Sequence, residues 1–162
     1  MTANTTFVSG AILTAAQMNA LPWGIVDTTA GGTSSRGFVN KTDANYAITT
    51  STAAITGLTI TWTPVTGRLY KASYSLRTET LTSQYIFTRF NIGATVYAAK
   101  ADLLPANSGS TITNFVVFTG LSASTTLTVN IFAQTTAVGT TLVSGTVENA
   151  NTFTVEDIGP ST

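Results

Sequence analysis

Tyr70-Lys71-Ala72-Ser73-Tyr74-Ser75-Leu76-Arg77 alternates without a break between apolar and polar residues. Successive side chains of a strand point to opposite faces. Tyr70, Ala72, Tyr74 and Leu76 therefore share one side, and Lys71, Ser73, Ser75 and Arg77 the other. This is the signature of a strand with one face in a core and one in water. The same period holds on both sides of it. Leu58, Ile60 and Trp62 alternate with Thr59, Thr61 and Thr63, and Pro64 and Gly67 bracket a turn before Tyr70. Downstream, Ile86, Thr88, Phe90 and Ile92 line one side of a strand, and Val96 and Ala98 hint at a short one. Ile112, Val116 and Phe118 share a face. Leu127, Val129, Ile131 and Ala133 alternate with Thr126, Thr128, Asn130 and Phe132. Residues 142–147 and 151–158 complete the set.

Strands at intervals of about 8–15 residues, with no helical period among them, predict an antiparallel sandwich or barrel. Two sheets of four or five strands in a jelly-roll arrangement fit best. The chain has 162 residues, enough for one domain with a sizeable core. Thr supplies 35 of them. It is β-branched and polar, so it gives the outer faces strand propensity without charge.

The first thirty residues read differently. In Leu13-Thr14-Ala15-Ala16-Gln17-Met18, Thr14 and Gln17 have capping-box spacing, and Leu13 and Met18 form the matching hydrophobic staple. Pro22 stops the helix at or before Leu21. A helix of about two turns does not persist alone. Ile12, Leu13, Met18, Leu21 and Trp23 form its apolar side, which serves either as a lid on the chain's own core or as an anchor on neighbouring subunits. Gly31-Gly32-Thr33-Ser34-Ser35 is a flexible joint. The expected division is an arm over residues 1–30 and a β domain over residues 36–162.

Composition excludes several chemistries. There is no Cys and no His, formal net charge is zero, and 9% of residues are charged, against roughly 25% in an ordinary soluble domain. Zinc fingers, thiol catalysis, disulfide frameworks and a Ser-His-Asp triad are ruled out. Seven basic residues give little counterion release, so nucleic acid is not an expected partner. Residues 1–26 carry no charge, but Thr, Asn, Ser, Gln and Pro interrupt them. They predict neither a signal peptide nor a membrane span. So little self-repulsion suits a protein whose normal state is assembled.

Neither catalysis nor a cofactor is expected. Adjacent Glu156 and Asp157 point to opposite faces of a strand and read as solvated end-of-strand charges rather than a glycosidase pair. Asn40-Lys41-Thr42-Asp43-Ala44-Asn45 has oxygens but too few carboxylates for a Ca²⁺ loop, and reads as a turn. Arg68, Lys71, Arg77 and Arg89 lie on two consecutive strands, where they form a weak basic stripe or pair with Glu79 and nearby carbonyls.

Two strands break the in–out rule. Phe115-Val116-Val117-Phe118 is apolar on both faces, and Tyr85, Ile86, Phe87 and Phe90 put apolar groups on both sides of another. Something must cover the outer side. One cover is a loop over residues 101–110, the other a subunit interface through Tyr74, Phe87, Phe90, Phe115 and Phe118.

The stretch Phe7-Val8-Ser9-Gly10-Ala11-Ile12-Leu13-Thr14-Ala15-Ala16-Gln17-Met18-Asn19 resembles the N-terminus of small tailed-phage virion proteins, in which a "G-x-x-L-T-A-x-x-x-N" segment precedes a β domain. Leu58 to Lys71 fits the same group, and Val155-Glu156-Asp157-Ile158-Gly159-Pro160 is similar to its "V-x-D-I-G-P" ending. The resemblance implies a non-enzymatic capsid decoration, head-fibre or minor tail protein. It implies a homotrimeric jelly roll of the tumour-necrosis-factor type, docked by its arm to major capsid or tail proteins. The expected location is the virion surface after synthesis in the host cytoplasm. A lectin-like module that binds host-surface glycan is the rival expectation.

Overall fold

The computed structural model describes residues 24–25, 38–41, 45–122, 126–143 and 151–161. The strands are β1 (Gly24–Ile25), β2 (Phe38–Lys41), β3 (Tyr46–Ile48), β4 (Ala53–Trp62), β5 (Arg68–Thr80), β6 (Gln84–Ile92), β7 (Thr95–Leu104), β8 (Ser108–Phe118), β9 (Leu127–Thr135), β10 (Thr140–Leu142) and β11 (Asn151–Pro160). Among the described residues there is no helix, hence none long and apolar enough to cross a membrane. The short helix expected near Thr14, with Ile12, Leu13, Met18, Leu21 and Trp23, lies outside the described residues. So do residues 42–44 of the expected turn and the joint at 31–35.

β5 is the spine of the first sheet. It pairs with β8 from Tyr70–Phe118 to Thr80–Ser108. Its other side pairs with β11 and then β10 in tandem. β2 and β1 extend the sheet from β11, and β3 extends it from β10. The second sheet runs β4-β9-β6-β7. Every pairing is antiparallel. From β3 onward the chain alternates between sheets except at the β6–β7 hairpin and the β10–β11 succession. That order is a jelly roll, as the strand spacing predicts.

The inward residues are those the alternation names. Tyr70, Ala72, Tyr74 and Leu76 are buried, as are Leu58, Ile60, Trp62, Ile86, Phe90, Val129 and Ile131. Aromatic rings bridge the layers. Trp62 lies 5.7 Å from Tyr70 and 6.3 Å from Phe118. Phe90 lies 5.0 Å from Tyr74 and 6.2 Å from Phe153. One end is closed by polar side chains instead. Gln84 Nε2 donates to Thr80 Oγ1 at 2.8 Å, Thr140 Oγ1 donates to the same atom at 3.2 Å, and Ala137 N donates to Gln84 Oε1 at 2.9 Å. Buried polar groups of this kind are tolerated because each finds a partner.

Three expectations are corrected. The short strand at Val96 and Ala98 is the ten-residue β7. Lys100 and Asp102 on its inner side disguised the alternation; they pair at 2.9 Å, and Lys100 Nζ donates to Thr113 O at 3.0 Å, tying β7 to β8 where the sheet edges meet. Residues 101–110 are consequently not a covering loop but the end of β7, a turn and the start of β8. Arg89 does not share a stripe with Arg68, Lys71 and Arg77, because β5 and β6 belong to different sheets.

Candidate binding faces of the sandwich

Of the five aromatics expected at an interface, three belong to the core. Tyr74, Phe90 and Phe118 are buried, because their strands turn those positions inward. The Tyr74 hydroxyl meets Thr88 Oγ1 between the layers. Burial raises the pKa of Tyr74 and, likewise, of Tyr70, whose hydroxyl accepts the Val65 N–H at 2.7 Å. Losing water disfavours the phenolate.

Phe115 and Phe87 stay outside, on different sheets. Phe115 is 62% exposed on β8, beside exposed Val117. Lys71 Nζ stands 5.8 Å from the Phe115 ring centre. Phe87 and Tyr85 project from β6 on the second sheet, rings 6.4 Å apart, with exposed Leu103 opposite Tyr85 in register. The expected single aromatic patch is thus two patches facing away from each other.

The charges are more ordered than end-of-strand groups in solvent. Asp157 holds Arg68 in a fork: Nε donates to both carboxylate oxygens at 3.0 Å and Nη2 to Oδ1 at 2.6 Å. Glu156 faces Lys71 at 4.0 Å. The expectation of free carboxylates is corrected by the β5–β11 pairing, which sets Glu156 opposite Lys71. Among the described residues no three His, Cys, Asp or Glu side chains gather as a metal site.

The outer face of the second sheet carries a constellation that sequence reading missed. In register, Phe87 faces Ala101 and Arg89 faces Ala99 across β6 and β7. Two methyl-sized side chains opposite two large ones leave a trough. It is a shallow recess of about 410 Å³ with Thr52 and Gln134 on its far side. The Arg89 guanidinium stacks 5.5 Å from the Phe132 ring centre. Its Nε is buried without a hydrogen-bond partner. Thr52 Oγ1 donates to Gln134 Oε1, leaving the Gln134 NH₂ to donate. Along the same face, Thr59 meets Asn130, Thr61 meets Thr128 and Thr63 meets Thr126 at 2.7–3.0 Å. The available signal was Phe132, an aromatic on the otherwise polar side of β9.

No protein-family model and no curated protein matches this chain. Solved structures do. The carbohydrate-binding module CBM6cm-2 of Cellvibrio mixtus lichenase 5A, in complex with cellotriose, is 16% identical over 74% of this chain and 86% of its own, with TM-score 0.38. A CBM4 module is 14% identical over 75% and 91%, with TM-score 0.31. The CBM22-1 xylan-binding domain of Paenibacillus barcinonensis Xyn10C is 9% identical over 83% and 90%, with TM-score 0.29. These are likenesses of fold class; the fold itself rests on the strand order and register above.

Proposed function

We propose that this chain is a non-enzymatic structural protein of a tailed-phage virion, of the capsid-decoration or head-appendage type. Residues 1–30 attach it to the particle, and the sandwich assembles as a homotrimer through the outer face of β8. The observation that carries the assembly reading is Phe115, 62% exposed beside 40%-exposed Val117 on a chain of zero net charge. An edge strand with exposed apolar side chains is a site for a protein partner. Covering what remains exposed of those two side chains contributes roughly 1.5–3 kcal/mol, so a stable trimer needs further contacts around them. The phage attribution is supported by the ordered resemblance of both ends and the middle of the chain.

The test is mass spectrometry and immunogold labelling of purified particles, with light scattering of the isolated chain. The expected result is a trimer on the particle surface. A version lacking residues 1–23, which keeps β1 on β11, stays trimeric and fails to incorporate. A monomeric wild type overturns the assembly reading, and incorporation without the arm overturns its anchoring role.

The second reading, a minor tail, tail-tip or fibre protein that binds host-surface glycan, is favoured by the Phe87–Arg89 recess. An exposed ring beside a guanidinium, an amide and a hydroxyl is the mixture of apolar and directional polar groups that small-ligand sites use.

A further inference from the structure

We propose that the recess bordered by Phe87, Arg89, Ala99, Ala101, Gln134 and Thr52 is a subsite for a sugar residue that carries a carboxylate, such as a uronic or sialic acid. The proposal rests on the glycan-binding reading and narrows its ligand class.

Arg89 drives the inference. Arg68, Lys71 and Lys100 each face a carboxylate. Arg89 faces none among the described residues. Its Nε is buried and unpartnered, and its compensation is the face of Phe132 at 5.5 Å. A cation over a ring is held by the negative face of the ring. That stacking and the buried Nε leave the terminal Nη donors for a ligand, and these match a carboxylate end-on. Arg77 also has a buried, unpartnered Nε, but its side chain does not line the recess of about 630 Å³ beside it; its guanidinium lies behind Gly109 on that wall, where an added Cβ would stand 2.6 Å from Nη2.

The surroundings point to a sugar as the carrier of the acid. At about 410 Å³ the recess is within the usual range for small-ligand sites. It is open, which suits one residue of a longer chain. The exposed Phe87 ring offers an apolar surface to the C–H face of a pyranose. The Gln134 NH₂ and the Thr52 hydroxyl supply groups for sugar hydroxyls. Beyond Phe132 the β4–β9 ladder of Thr and Asn side chains continues the polar track for neighbouring residues.

The experiment is a glycan array probed with the full-length chain. It presents uronate- and sialate-bearing oligosaccharides beside the same oligosaccharides as neutral methyl esters. Binding to the hits is then measured by calorimetry for wild type, Arg89→Gln and Phe87→Ala. At least one acidic glycan binds ten-fold or more tighter than its ester. Arg89→Gln removes that preference while light scattering stays unchanged and the chain still unfolds in one cooperative transition, lowered only by the lost stacking on Phe132, and Phe87→Ala weakens acid and ester together. Equal binding of acid and ester, lost in Phe87→Ala, overturns the carboxylate assignment and keeps the glycan reading. A preference that survives Arg89→Gln also overturns the assignment. No binding to any glycan on the array overturns both.

Discussion

Phe115 and Phe118 stand three residues apart on β8 and have opposite fates: Phe115 is 62% exposed, and Phe118 is fully buried against Trp62. An odd separation along a strand sends side chains to opposite faces. Tyr97 also packs edge-on against Phe118 at 4.9 Å, plugging the seam between β7 and β8. One strand thus supplies a core residue and an exposed apolar one.

Phe118→Ala is expected to cost about 3–5 kcal/mol in urea unfolding, the usual range for an aromatic removed from a packed core. Phe115→Ala should stay within about 0.5 kcal/mol in the isolated subunit. Phe115→Asp should dissociate the oligomer on light scattering and lower the melting temperature only to that of the isolated subunit. A Phe115→Asp chain that remains trimeric places the interface elsewhere.

Asn151 is buried and joins two strands through its side chain: Oδ1 accepts the Arg77 N–H at 2.7 Å and Nδ2 donates to Val143 O at 2.7 Å. Asn151→Leu leaves both main-chain groups without partners. At about 1–3 kcal/mol for each, the expected loss is about 2–6 kcal/mol in denaturant unfolding. Asn151→Asp keeps the acceptor and should lose less.

The two ion pairs of β11 should differ. The Arg68 and Asp157 side chains are 11% and 20% exposed and engage in a fork. Asp157 Oδ1 also accepts the Gly159 N–H at 3.1 Å, beside the register shift where Gly159 has φ +126°. Asp157→Asn should cost about 1–3 kcal/mol. Lys71 and Glu156 are each 39% exposed and 4.0 Å apart. Glu156→Gln should change stability by less than about 0.5 kcal/mol. Equal losses in the two variants would contradict this ranking.

Alkaline pH should destabilise the fold. Burial raises the pKa of Tyr70 and Tyr74 above the ordinary value. The folded state therefore holds the proton more tightly than the unfolded chain does. The contribution is complete below a pH of about 10 and is lost as pH rises through the raised folded values. Urea midpoints between pH 8 and 11.5 should fall at the top of the range, and Tyr74→Phe should make that fall shallower.

Much of the fold was legible because alternation is local. Tyr70 to Arg77 announces its own buried face, and Leu127 to Ala133 does the same, with no knowledge of a partner strand. β7 was under-read because Lys100 and Asp102 occupy inward positions, where a charge breaks the hydrophobic signal; only their mutual ion pair and the Thr113 carbonyl make those positions tolerable.

The sequence alone determined an all-β jelly roll with Thr-rich outer faces and without thiol or imidazole chemistry. Composition and period two belong to each segment whatever it packs against. Tertiary structure decided which aromatics are buried, because Phe87 and Phe90 differ by which side of β6 meets the other sheet. It also set Glu156 opposite Lys71 and left Arg89, beside two small alanines, without a carboxylate among the described residues. Those relationships depend on the register between strands distant in the chain, and register is fixed only when both sheets close on one core.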